Sequence, residues 1–110
     1  MEIIEEKKDH VHILSLSGRL DSNTSPKLEE NIIQILENDT NNIILNFENL
    51  EYISSAGLRV ILKTTKDLKT KKGKLLLCSM QDYVREVFEI AGFDTFLPIV
   101  ANIDDALRQI

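Results

Sequence analysis

The sequence predicts an α/β fold, a single domain over residues 1–110 in which a mixed, mostly parallel sheet packs with about four helices. Short apolar runs recur near 11–16, 43–47, 74–80 and 96–100, the first three of a length that suits strands. Between them lie segments whose apolar residues repeat at helical spacing, and nearly every junction carries Gly, Pro, Asn, Asp or Ser. A strand that must return after a helix to pair again does so in parallel.

In chain order, residues 2–7 form a short edge strand, and Val11, Ile13, Leu14 and Leu16 mark a second that ends near Gly18 and pairs with the first through a turn at Asp9. The polar turn from Asp21 leads to Ser25 and Pro26, which read as an N-cap with proline at the first helical position. The helix then runs to about Asn38, with Leu28, Ile32, Ile35 and Leu36 on one stripe and Glu29, Glu30 and Glu37 toward water. A turn over 39–42 precedes Ile43, Ile44, Leu45 and Phe47, an almost unbroken apolar run that suits a buried parallel strand and carries one polar residue, Asn46.

The polar stretch with Glu48, Asn49 and Glu51 reads as a loop, and it passes through Tyr52 and Ile53 into Ser54, Ser55, Ala56 and Gly57. A second helix follows, with Leu58, Ile61, Leu62, Thr65 and Leu68 facing inward and Gly73 as its stop. Residues 74–80 form the next strand. Ser79 is placed to cap a third helix with Asp82 at its third position and Val84, Val87, Phe88 and Ala91 on its apolar face, ended by Gly92. Phe93, Phe96, Leu97, Ile99 and Val100 supply a last short strand with Pro98 near its start or at its edge, and Asn102 caps a final helix that has Asp104 and Asp105 in its first turn.

Composition narrows the function. With 43% hydrophobic and 28% charged residues the chain can bury its own core, and a formal net charge of −5 sets it against phosphate backbones and anionic lipid. Neither nucleic acid nor a membrane is expected as a partner. The single cysteine, Cys78, sits inside an apolar run and reads as a buried strand thiol, which suits a reducing, cytoplasmic setting. His10 and His12, two apart, would share a face of a strand, but no third ligand stands near them and no metal is expected. The second helix is basic on this acidic molecule: Arg59, Lys63, Lys66, Lys69, Lys71, Lys72 and Lys74 stand against one acid, Asp67. Arg59, Lys63 and Lys66 lie along one face, either as a solvated surface matched to the helix dipole or as a binding patch.

The chemistry concentrates in NLEYISSAGLRVIL, residues 49–62. A helix start presents unpaired N–H groups and partial positive charge, so it favours a serine cap and equally a phosphate. Ser54 or Ser55 stands there among small residues that leave the corner uncovered, as a capped turn, a docking surface or a kinase substrate. No phosphate-binding glycine loop, G-x-G-x-x-G or G-x-S-x-G is present, no acid or histidine in the motif activates the serines, and no cofactor is expected. The receiver-type reading, which wants aspartate at the end of the preceding strand, meets Asn46 there.

The order of elements, the Gly18-Arg19-Leu20-Asp21 turn and above all YISSAGLRVIL resemble the STAS domain of bacterial anti-sigma factor antagonists, over essentially the whole chain. Aligned that way, Ser55 falls on the family's phosphorylatable serine, followed by Ala56, Gly57 and Leu58, and Asp21 matches an acid of the first loop. The resemblance implies a protein, not an enzyme, that binds an anti-sigma factor which is also an ATP-dependent serine kinase, and so releases a sigma factor. It further implies that phosphorylation of Ser55, or alternatively Ser54, switches the antagonist off, that a metal-dependent serine phosphatase restores it, and that Asp21, Ser54, Ser55, Ala56, Gly57, Leu58 and Arg59 meet the partner. Two residues depart from the pattern, Ser54 and Asn46, where such proteins often carry aspartate. The rival expectations are a STAS subunit of another assembly, such as a stress-sensing complex or a lipid transporter, and a small enzyme of another class.

Overall fold

β1 (Glu2–Lys8) and β2 (Val11–Leu20) form an antiparallel hairpin whose turn is made by Asp9, at φ 57°, and His10, in the computed structural model, which describes residues 1–38 and 42–110. From β2 onward every strand is parallel to the last: β3 (Asn42–Ile53), β4 (Lys74–Cys78) and β5 (Ile99–Val100), in the sheet order β1-β2-β3-β4-β5. Because strand order follows chain order, the crossover helices α1 (Ser25–Glu37), α2 (Ser55–Thr70) and α3 (Asp82–Ile90) share one face of the sheet, and α4 (Ile103–Arg108) covers part of the other. All the βα turns therefore gather at the carboxyl ends of the parallel strands. β1 runs the opposite way and brings Met1 to that same edge, beside Gly18.

The larger core lies between the sheet and the three crossover helices, centred on Leu14, Leu45, Phe47, Ile61 and Phe88, all fully buried. Phe88 of α3 tilts against Phe47 of β3 with ring centroids 5.9 Å apart. The smaller core joins Ile13, Ile44, Leu76 and Cys78 to Ala106 of α4. The α1 stripe of Leu28, Ile32, Ile35 and Leu36 is buried as its spacing predicts. Asn102 caps α4 as expected, its side chain accepting the Asp105 N–H at 2.8 Å. The turn expected over 39–42 lies, apart from Asn42, outside the described residues.

Several local expectations are corrected. β2 continues past Gly18 to Leu20 and β3 past Phe47 to Ile53, because two register shifts let the strands stay paired through Tyr52 opposite Arg19 and Ile53 opposite Leu20. Glu48, Asn49 and Glu51 therefore belong to a strand with one wet face, and Asn46 lies mid-strand, donating to the Ser15 hydroxyl and accepting the Glu48 N–H at the bulge. On α2 the inward threonine is Thr64, with Thr65 and Leu62 only half-buried. That helix ends in a Schellman turn, Gly73 N–H to Leu68 C=O at 2.7 Å and Lys72 N–H to Lys69 C=O at 3.0 Å, with Lys72 and not Gly73 at positive φ.

Ser79 does not cap α3. It takes a left-handed φ of 59° just past β4, and Gln81 occupies the cap position. Ala91 is exposed past the end of α3. Phe93–Thr95 is a 3₁₀ turn rather than strand, since Pro98 has no N–H to extend the pairing toward it.

Candidate functional site

At the end of β2, Asp21 organises the first turn. Its Oδ1 accepts the N–H groups of Asn23 at 2.9 Å and Thr24 at 3.2 Å, while its own N–H donates to Thr24 Oγ1 at 2.9 Å, the reciprocal pattern of a capping box. The Thr24 hydroxyl donates in turn to the Arg19 carbonyl at 2.8 Å. The chain already turns in the helical sense at Thr24, which stands at the cap position, so Ser25 is inside the first turn and not its cap. Ser25 is buried, and its hydroxyl donates to the Asp21 carbonyl at 2.6 Å. Partial desolvation would raise the Asp21 carboxyl. The Asn23 and Thr24 N–H groups, the Thr24 hydroxyl and the Arg19 guanidinium together outweigh it and hold the group below the usual carboxylate range.

At the end of β3, Ser54 is extended and its N–H donates to the Leu20 carbonyl at 2.9 Å, which ties the second turn to the first. Ser54 stands where a capping serine would, yet its hydroxyl makes no cap bond and is enclosed without a partner among the described residues. Ser55, the first residue of α2, is exposed. The two serines that looked equivalent in sequence thus differ: one hydroxyl is shut in and the other open. A Cβ on Gly57 would lie 2.8 Å from Leu20 Cγ and 2.9 Å from Ile53 Cγ1, so glycine is what lets the first turn of α2 settle onto the ends of both strands. Gly57 and Leu58 are buried beneath the corner, whereas Ala56 is half-buried and Arg59 exposed on top.

Around Ser55 the surface is built from both turns. A groove of about 380 Å³ runs between α1 and α2, with Ser22, Pro26 and Glu29 on one wall and Ala56, Arg59 and Lys63 on the other. Lys63 is not a free member of the basic face: its ammonium pairs with Glu29 at 3.2 Å. Beside the corner, the Arg19 guanidinium stacks on the half-exposed Tyr52 ring and reaches Asp21 Oδ2 at 3.8 Å. Reading the sequence alone misses Arg19 and Tyr52 as a pair. Both stand inside the two motifs, but only the strand register puts them opposite one another.

The remaining candidates lie elsewhere. His10 is in the hairpin turn and exposed, so it shares no strand face with His12, whose Nδ1 meets Glu5 Oε2 at 2.7 Å. Among the described residues no group of three or more His, Cys, Asp and Glu converges as a metal site. Burial pushes the Cys78 thiol up, the Ser79 contact lowering it and Glu48 raising it. No described helix is long and apolar enough to cross a membrane.

The sequence model of the STAS domain family matches residues 2–106. The chain is 39% identical to BtrV of Bordetella bronchiseptica, by its name a candidate anti-sigma factor antagonist, over 96% of this chain and 90% of that protein. Among solved structures, a candidate anti-sigma factor antagonist of Thermotoga maritima superposes with a TM-score of 0.94 at 23% identity, covering 98% of this chain and 93% of its own. The Bacillus cell fate determinant SpoIIAA, solved in a phosphorylated form, gives a TM-score of 0.78 at 22% identity and covers 98% of both chains. At these identities the two structures speak to the fold.

Proposed function

We propose, from the premise that this chain belongs to the STAS domain family of anti-sigma factor antagonists, that it acts as one regulatory binding module over residues 1–110. It binds an anti-sigma factor that is also a serine kinase, releases a sigma factor by doing so, and is switched off when that kinase phosphorylates Ser55. The observation that carries the choice of residue is the contrast at the corner, where Ser55 is exposed at the first position of α2 and the Ser54 hydroxyl is enclosed. A kinase needs the hydroxyl in the open.

The switch follows from electrostatics. A phosphate on Ser55 adds roughly −1.5 to −2 charge beside helical N–H groups that have no acceptor within α2, so the fold tolerates it. Arg59, one turn along and exposed, lies within reach of the same oxygens. A partner seated over Asp21, Ser54, Ser55, Ala56 and Arg59, with Gly57 and Leu58 supporting them from below, would have to desolvate that charge. The cost is on the order of several kcal/mol, hence orders of magnitude in affinity. A serine phosphatase reverses the state. Nothing in this scheme asks the chain itself for catalysis.

Intact-mass and peptide analysis after incubation with the cognate kinase and ATP tests the reading. A single phosphoryl group on Ser55, with loss of kinase binding, is the expected result; modification of Ser54 instead, or binding unaffected by phosphate, overturns it.

A further inference from the structure

At the end of the sheet remote from Ser55, β5 is only two residues long, and the first half of β4 has no neighbour on that side. Alternation along β4 fixes where its backbone points. Lys74 N–H donates to Asn42 on β3, and Leu77 N–H donates to the Pro98 carbonyl on the other side. Leu75 N–H therefore points the same way as that of Leu77, and no acceptor among the described residues meets it. The Leu75 carbonyl lacks its ladder partner for a chemical reason: the residue whose N–H would reach it is Pro98. Strand backbone groups left without a ladder partner take one from solvent or from a bound ligand.

Those groups open into a notch of about 310 Å³, a volume at the lower end of what small-molecule sites occupy. Leu75, Leu76 and Pro98 line it, and Phe96, 51% exposed and tilted against Phe93 with ring centroids 5.4 Å apart, forms an aromatic wall. Lys69 and Lys74 stand at the rim, and among the described residues no carboxylate side chain lines the cavity. Among the described residues Lys69 has no ion pair, and the Lys74 ammonium donates to the Gln109 carbonyl at 3.1 Å. Nearby, the Leu68 and Lys69 carbonyls at the end of α2 are closed by the Schellman turn. On a chain of net charge −5 this is a local basic rim over an apolar floor.

We infer that this notch is a binding site for a small anion with an apolar, flat body, an aromatic carboxylate or sulfonate, its acid group on Lys69 and Lys74, its ring on Phe96 and its edge against the Leu75 backbone. The site lies one length of α2, about 24 Å at 1.5 Å per residue, from the Ser55 corner. It is separate from the partner surface proposed above.

The test uses the anionic dye 8-anilinonaphthalene-1-sulfonate on the whole chain. Fluorescence titration is expected to saturate at one site, and the Leu75 amide resonance to move in parallel. Phe96→Ser and Lys69→Glu, both at exposed positions, should each weaken binding about tenfold or more, while Tyr83→Ser, which removes another exposed aromatic ring on α3, should leave it unchanged. The neutral analogue N-phenyl-1-naphthylamine should bind correspondingly less well. Absence of saturable binding, an equal effect of Tyr83→Ser, or equal affinity for the neutral dye each overturns the assignment.

Discussion

The guanidinium carbon of Arg19 lies 4.1 Å from the centroid of the Tyr52 ring, joining the ends of β2 and β3 on the wet side of the sheet. A cation over an exposed aromatic face contributes about 0.5–1 kcal/mol. A double-mutant cycle with Arg19→Ala and Tyr52→Ala, read by urea denaturation, should return a coupling of that size. Strict additivity would mean that the two residues merely lie near each other.

Gly57→Ala puts a methyl group within 3 Å of buried Leu20 and Ile53, neither of which can turn away from a filled core. Overpacking of this kind costs roughly 1–3 kcal/mol. A lowered denaturation midpoint with unchanged slope checks it, and the same variant should bind the anti-sigma partner less well because the corner above is displaced.

Ile61 faces the sheet with no exposed surface, whereas Lys63 sits on the outside of the same helix in an exposed ion pair. Ile61→Ala should destabilise by about 2–5 kcal/mol and Lys63→Ala by no more than about 0.5. Equal small losses would place the helix in the wrong phase.

The lowered pKa of Asp21 gives acid stability a definite sign. A carboxyl held below its unfolded value contributes stability that is fully present above the unfolded pKa and is lost as pH falls through the folded one. Asp21→Asn should therefore be less stable than wild type at neutral pH and approach it at an acid pH where the carboxyl is protonated in both folded and unfolded states. Urea midpoints at the two pH values decide this; a gap that stays constant would show that the charge of Asp21 is not what the turn uses.

Under the proposed function, Ser55→Ala should fold, bind the anti-sigma partner and resist inactivation by ATP. Ser55→Asp should bind more weakly because it carries charge into the interface. Ser54→Ala is the control: its hydroxyl makes no bond to lose, so stability should change by less than a working cap's ~0.5–2 kcal/mol. In stopped-flow binding, added salt should slow association more than it speeds dissociation, with Arg59 and Lys66 carrying more of that effect than Lys63, which Glu29 already neutralises.

Much of this is legible in the sequence itself. The α1 stripe, the apolar run from Ile43 to Phe47 and the Asn102 cap are local signals, and each held because packing and propensity agree there. What escaped depends on contacts between distant segments. β3 beyond Phe47 looks like a loop because its outward residues are acidic and polar, and it is a strand only because β2 bulges to stay beside it. Thr64 and Thr65 are chemically identical choices for the inner face of α2, and the seating of Gly57 on Leu20 and Ile53 selects the former. At the site, the motif directs attention to Ser55 and Asp21. The difference between Ser54 and Ser55 and the meeting of Arg19 with Tyr52 are not local properties and could not be read from spacing.

The antiparallel start of the sheet has a practical side. Because β1 runs against β2, Met1 emerges beside Gly18, at the edge where the turns around Asp21 and Ser55 meet, while Gln109 lies at the far end against Lys74. Anything joined ahead of Met1, an affinity handle or a fluorescent reporter, would crowd the surface proposed for the anti-sigma factor and imitate a loss of binding. Joined after Ile110 it would leave that surface clear and would instead shade the notch at Leu75. Pull-down and dye-binding experiments on this chain therefore call for handles at opposite ends.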